Sequence, residues 1–348
     1  MKQERIINSN NFSGRIQSMD ALKFFAIFLV IWGHSIQYLV PGNFCDKPLY
    51  RIIYSFHMPL FIAISGFFFV MTIKKGYFKL IKKRFIQLLL PVISWSLIYS
   101  ILTGGGYFYT LINVFWFLKT AFICCLLGYW VFIQPQHILA ATALVVTIGF
   151  SVAFPYYQLD LMYPFFLIGG FLWLIHKRLS VRIYKVILLL SGFIFIGCLL
   201  YLDSANYQLF LSNFGSRRVI FTEPVQTLII RLYRIMMGLT GTLFFFSAFE
   251  IVFAKPRNGK IHSLISEWGR YTLGIYILQV FLLETFLKKH LVLSDLNLWI
   301  FNLIIAPIIS LLIMVVCVVI IKLIRMNKYL SFILLGLPIS KSPNSLRG

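Results

Sequence analysis

Apolar residues in this chain come in long unbroken runs instead of the narrow stripes that coat a soluble core. A helix needs about 20 mostly apolar residues to cross a bilayer. Ten stretches come near that length: 20–40, 52–73, 84–103, 115–133, 137–154, 159–176, 183–202, 227–254, 270–287 and 298–324. Short polar loops join them, apart from a longer segment, 203–226, that carries Asp203, Asn206, Asn213, Arg217, Arg218 and Glu223. The pattern predicts an all-α integral membrane fold, a bundle of about ten transmembrane helices over residues 20–325, because only internally hydrogen-bonded segments survive in lipid. A cytoplasmic N-terminal segment, 1–19, is expected before it and a cytoplasmic tail, 326–348, after it. The tail mixes basic residues with Tyr329, Leu330, Phe332, Ile333 and Leu334, the composition of a helix lying in the membrane interface. The first run is expected to stay as a span, since a mostly polar segment precedes it and Asp20, Lys23 and His34 interrupt it, unlike a cleaved signal peptide. Pro59, Pro91, Pro164 and Pro307 fall inside runs, where neighbouring helices can satisfy the carbonyls they leave free.

Composition agrees with the runs. Of 348 residues, 60% are apolar and 12% charged, with a mean hydropathy of +0.87; soluble domains are about 45–50% apolar and about 25% charged. Soluble and disordered classes are excluded. The net charge of +22, from 32 basic and 10 acidic residues, would in a soluble protein point to nucleic acid. Here its distribution argues otherwise. Placed on ten runs, 22 of the basic residues fall on the two termini and the even-numbered loops and only six on the odd-numbered ones. Lys and Arg collect on cytoplasmic loops, so both termini are expected in the cytoplasm and no nucleic-acid partner is implied. The densest cluster is Lys74, Lys75, Lys79, Lys82, Lys83 and Arg84. Five cysteines show no disulfide or metal spacing, and no metal site is expected.

Ionisable groups inside spans usually face a cavity or a partner. Asp20, Lys23 and His34 lie in the first run. Eleven residues at about 100° each return to within about 20° of the starting face, and fourteen to within about 40°, so the three share a side. Lys23 and His34 are then about 16 Å apart along the axis. In the second run His57 falls at a depth similar to that of His34, so the two histidines can share one cavity. The plainer alternatives stay open: an Asp20–Lys23 pair one turn apart with Lys23 reaching the headgroups, and His34 paired to a neighbouring helix. Lys119, Arg231, Arg234 and Glu284 stand near the outer ends of their runs. Arg231 and Arg234 share a helix face suited to an anionic or hydroxyl-rich ligand, or to lipid phosphate.

Asp20-Ala21-Leu22-Lys23, ten residues, then His34-Ser35 resembles the first span of the membrane-bound acyltransferase-3 family, the bacterial O-acyltransferases of cell-surface glycans. That family carries arginine where this chain has Lys23, which keeps the charge and loses the bidentate fork. Phe56-His57-Met58-Pro59-Leu60-Phe61 with Ser65-Gly66-Phe67, Lys83-Arg84 with Leu90-Pro91, Trp116-Phe117-Leu118, and Leu273 to Gln279 match in the same order. The resemblance implies the stand-alone form of the family in the bacterial cytoplasmic membrane. It further implies transfer of an acyl group, usually acetyl, from cytoplasmic acyl-CoA to a sugar hydroxyl of a surface or lipid-linked glycan on the outer side. No permanently bound cofactor is implied; acyl-CoA is a substrate, and glycan and membrane lipids are the partners. On this reading His34 is the general base, with Asp20, Lys23 and His57 as the other catalytic candidates. Lys74, Lys75, Lys82, Lys83 and Arg84 receive the donor phosphates, and Arg231, Arg234, Trp116, Gln279 and Glu284 contact the acceptor. A transporter or flippase of a lipid-linked sugar is the competing class. Neither an internal repeat nor matched Gly/Pro breaks in two halves favour it.

Overall fold

The computed structural model describes residues 17–73, 76–134, 136–202, 224–254, 264–265, 267–291 and 297–338, and they are helical throughout apart from short connections. Helices stand at all ten predicted positions: α1 (Gln17–Leu39), α2 (Pro48–Val70), α3 (Tyr77–Thr103), then the short α4 (Tyr107–Asn113) leading into α5 (Trp116–Phe132), α6 (His137–Ala153), α7 (Leu159–Ile175), α8 (Val181–Leu200), α9 (Pro224–Val252), α10 (Thr272–Val280) with its extension to His290, and α11 (Leu298–Met326). A tail helix, α12 (Lys328–Leu335), follows. Among the described residues seven helices are long and apolar enough to cross a membrane, and α4 with α5, bent by 60°, makes an eighth. α6 has 17 residues, and α10 is nine residues of α-helix before its hydrogen bonding changes.

α1 and α2 occupy the middle of the bundle. α2 packs most extensively against α7 and also meets α1 and α9, while α1 touches α9, α10 and α11. The α2–α7 contact is backbone to backbone: a Cβ on Gly66 would run into the carbonyl of Phe166, and one on Gly169 into that of Ala63. Small residues permit such approach, and in lipid close van der Waals packing drives helix association. Outward residues of α8 such as Leu189, Phe193 and Leu200 are exposed, as a lipid-facing surface requires.

Three stretches open into π turns, Phe85–Leu89, Phe281–Leu287 and Phe301–Ile305. Two have a local cause. Pro91 and Pro307 follow the first and third, and a proline ring collides with the carbonyl four residues back, here Gln87 and Leu303. The middle one contains no proline.

Basic residues at the α1 C-terminal end are structural. Buried Lys47 donates to the carbonyls of Ile36 and Val40 at 3.0 and 3.1 Å, satisfying the orphan acceptors of α1; burial holds its ammonium below the usual lysine value. Arg51 donates to Cys45 O at 2.9 Å. Lys119, predicted among the charges near the ends of spans, closes α4 in the same way, donating to Leu111, Ile112 and Val114 carbonyls at 2.8, 2.5 and 2.9 Å. All five cysteines are free and buried. The tail helix keeps Tyr329, Leu330 and Ile333 exposed and buries Ser331 and Leu335, and Trp95 Nε1 holds it by donating to Leu334 O at 2.8 Å.

Candidate functional site

Two polar regions lie on one side of α1, and the sequence reading had joined them. At the N-terminal end, Asp20 is buried and Lys23 half-buried, with Lys23 Nζ 3.5 Å from Asp20 Oδ1. The ammonium also stands 3.5 Å over the Phe68 ring of α2, an attraction of about 0.5–2 kcal/mol depending on exposure. Gly269 lets the chain before α10 lie directly on the Asp20 carbonyl. Beside that contact Glu267 pairs with Lys322 at 3.2 Å, and the Lys322 ammonium holds its carboxyl below the usual range.

Lys23 opens into a cavity of about 250 Å³ whose wall includes Phe61, Ile64 and Phe68 of α2, Arg84 of α3, Phe117 and Leu118 of α5, and Tyr276 of α10. Arg84 is fixed there by donating to Thr72 Oγ1 at 3.0 Å and Gln87 Oε1 at 3.3 Å. Its neighbours Lys79 and Lys82 are exposed and Lys83 is half-buried, whereas Lys74 and Lys75 lie outside the described residues. The cavity wall therefore combines two cations, Lys23 and Arg84, with the aromatic rings of Phe61, Phe68, Phe117 and Tyr276.

At the far end of α1, His34 is half-buried and its Nδ1 lies 3.0 Å from Gln279 Oε1. The amide cannot be reversed without loss, because Gln279 Nε2 donates to Tyr276 O at 3.3 Å. The oxygen must then face the imidazole, so Nδ1 carries the proton and the Nε2 lone pair of the neutral ring is left free. Gln279 itself is fully buried. Tyr38, one turn on from His34, meets its ring edge-on at 5.7 Å and donates to Glu284 Oε1 at 2.8 Å.

From α2, Tyr54 stands between the two histidines, with its ring 6.2 Å from His34 and 4.5 Å from His57. Tyr54 is held by donating to Gln37 Oε1 at 3.0 Å and by stacking on Tyr50 at 4.0 Å. His57 is fully buried, and its Nδ1 donates to Ile53 O at 2.8 Å, which puts the lone pair on Nε2 here too. The two imidazoles are close enough to interact electrostatically, as their matching depth implied.

The structure thus gathers His34, His57, Gln279 and Glu284 around one centre and Asp20, Lys23 and Arg84 around another, about 16 Å away along α1. The contacts that organise His34 come from α1, α2 and α10, none of which carries Trp116, Arg231 or Arg234. Trp116 packs edge-on against Phe117 at 6.1 Å. Arg231 pairs with Asp160 of α7 at 3.4 Å, and Arg234 is buried and also acts electrostatically on Asp160. Residues 203–223, most of the long polar segment 203–226, lie outside the described residues.

Sequence reasoning passed over Tyr38, Tyr54, Asp160 and Glu250. Ser18 donates to Glu250 Oε1 at 2.6 Å and ties the start of α1 to the end of α9. Scarcity was the available signal for the two acids, since the chain has only ten Asp and Glu and both of these stand in apolar runs. The tyrosines carried none, being two among 18.

The model of the family described as the acyltransferase domain, Acyl_transf_3, matches residues 16–322. Among curated proteins the chain is similar to nodulation protein NolL of Sinorhizobium fredii, 28% identical over 221 residues covering 58% of this chain and 60% of that protein. It is also similar to nodulation protein NolL of Mesorhizobium japonicum, 34% identical over 132 residues covering 33% and 35% of the two chains. The matches span less than two thirds of either relative. No solved structure matches significantly. With the family's model covering all but the C-terminal end of the described bundle, including both polar centres on α1, the chain belongs to the acyltransferase-3 family.

Proposed function

We propose that the protein is a membrane O-acyltransferase that moves an acyl group, in the simplest case acetyl, from cytoplasmic acyl-CoA to a sugar hydroxyl of a glycan or lipid-linked sugar on the outer side. The observation that carries this reading is the His34–Gln279 hydrogen bond, which leaves a free Nε2 lone pair one membrane leaflet away from a cationic cavity. Ten crossings of a bacterial cytoplasmic membrane, with both termini inside, put that cavity on the cytoplasmic side and His34 nearer the outside.

Arg84 and Lys23 supply countercharge for the phosphates of the donor, joined by Lys82, Lys83 and the Lys74–Lys75 pair. Asp20 keeps the Lys23 ammonium at the cavity wall. The acyl-bearing arm then runs past Phe61, Phe117 and Tyr276 toward His34, so the donor head group never has to cross the membrane. A sugar hydroxyl is a poor nucleophile at neutral pH, and a positioned base typically contributes about 10²–10⁴-fold. Its O–H bond breaks as the proton moves to His34 Nε2, and the oxygen bonds to the acyl carbon. The C–S bond then breaks, and the departing CoA thiolate takes up the proton held by the His34 imidazolium, giving the free thiol and returning the neutral base. Tyr54 and His57 form the wall that holds the His34 ring at this position. Gln279 acts on His34 directly, so its part is to orient the base. Arg231 and Arg234, with Trp116, remain as outer contacts for the acceptor, Arg231 reaching it only by sharing its pairing with Asp160.

Membranes containing the protein, given labelled acetyl-CoA and endogenous glycan, should transfer label to the glycan. His34→Gln, which keeps size and polarity, should lower transfer by at least about 10²-fold while the protein remains inserted. Full transfer by that variant overturns the mechanism.

A further inference from the structure

Glu284 stands five residues after Gln279. On a regular α-helix five residues turn about 500°, which would leave the two side chains about 140° apart. Instead the helix opens into π turns over Phe281–Leu287, and i→i+5 bonding stacks residues five apart. The consequence is visible on α1. His34 and Tyr38, neighbours at i and i+4, are met by Gln279 and Glu284 at 3.0 and 2.8 Å. The other two π turns are accounted for by the prolines that follow them, but this one has no proline, so its register needs another reason.

Glu284 is close enough to act electrostatically on His34, and on Tyr38, Tyr99 and Tyr276 as well. The groups facing the His34 ring are Tyr38 from α1, Tyr54 and His57 from α2, and Gln279 and Glu284 from α10, with Lys288 above the Tyr38 ring at 5.2 Å. Of these only Glu284 can carry a negative charge near neutral pH. We propose that the π turn delivers Glu284 as a positioning residue for His34, its carboxylate aimed by the Tyr38 hydroxyl and stabilising the imidazolium that forms as the base accepts the acceptor's proton.

This rests on His34 being the base, and kinetics with acetyl-CoA separate the two. Glu284→Gln keeps an oxygen for Tyr38 to donate to and removes only the charge. It should lower kcat on the order of tenfold to a hundredfold, as loss of preorganised charge stabilisation does, with KM for acetyl-CoA within about twofold. Glu284→Asp should recover most of kcat, and Tyr38→Phe should lower it about threefold, since the charge remains. Unchanged kcat in Glu284→Gln overturns the proposal, and so does a raised acceptor KM at constant kcat, which would make Glu284 a substrate contact. Should Glu284→Gln fail to accumulate, Glu284→Asp decides: a loss as deep as that of His34→Gln also overturns it. An active His34→Gln sinks the underlying mechanism, whereas a dead His34→Gln beside a full-rate Glu284→Gln sinks this inference alone.

Discussion

The two ends of α1 solve different problems with similar numbers of polar groups. At the Lys23 end the contacts include an ion pair at 3.5 Å, an ammonium over an aromatic face, and an arginine shared between a threonine at 3.0 Å and a glutamine at 3.3 Å. At the His34 end each ring or amide has a short, directional partner, His34 on Gln279, Tyr38 on Glu284 and His57 on Ile53. A polyanionic donor needs countercharge that can adjust as it enters and leaves. A base needs one tautomer held within hydrogen-bond reach of its substrate. On the mechanism we propose, charge alone does not mark the reacting centre in this chain; short, directional partners such as those of His34 and Tyr38 mark it better.

That comparison is open to mutation. Gln279→Leu removes the acceptor that fixes the His34 tautomer, so kcat should fall by roughly a hundredfold with KM for acetyl-CoA little changed, whereas Gln279→Glu should retain more activity because an acceptor remains. Steady-state kinetics on membranes that contain equal protein would show this. Lys23→Ala should act in the opposite sense, raising KM for acetyl-CoA about tenfold with a smaller loss of kcat, and Lys23→Arg should largely restore it. If Lys23→Ala instead lowered kcat as deeply as Gln279→Leu, the two ends would not be functionally distinct. Asp20→Asn should change donor KM only about threefold, because the Asp20–Lys23 contact is long at 3.5 Å and Lys23 keeps the Phe68 ring beneath it. Lys119→Met should leave both constants unchanged and lower the melting temperature of the detergent-solubilised protein by a few degrees, because α4 would lose its cap.

Much of this was legible in the chain itself. The apolar runs reappear as helices, because a long apolar run in lipid leaves the backbone few alternatives, and among the described residues seven of them, or eight with the bent α4–α5 pair taken as one span, are long and apolar enough to cross a membrane. The His34–His57 pairing followed from matched depth, and the Lys23–Arg84 cavity from the proximity of a basic loop to the first span. The role of Lys119 was not legible because a positive charge at a helix end looks alike whether it awaits a ligand or closes a neighbour's carbonyls. The counterion of the α9 arginines was not legible at all: Asp160 lies 71 residues away in sequence from Arg231, beyond the reach of any helical spacing rule.

The sequence by itself determined the class of fold and the stripe of Asp20, Lys23 and His34, since these depend on run length and on a 100° turn per residue within one helix, and its motifs carried the family resemblance. Which nitrogen of His34 is free, and which carboxylate faces it, only the tertiary structure decided. Those depend on α10 meeting α1 in one register, and that register is set by a π turn of five-residue closure that no proline or pattern in residues 281–287 announces.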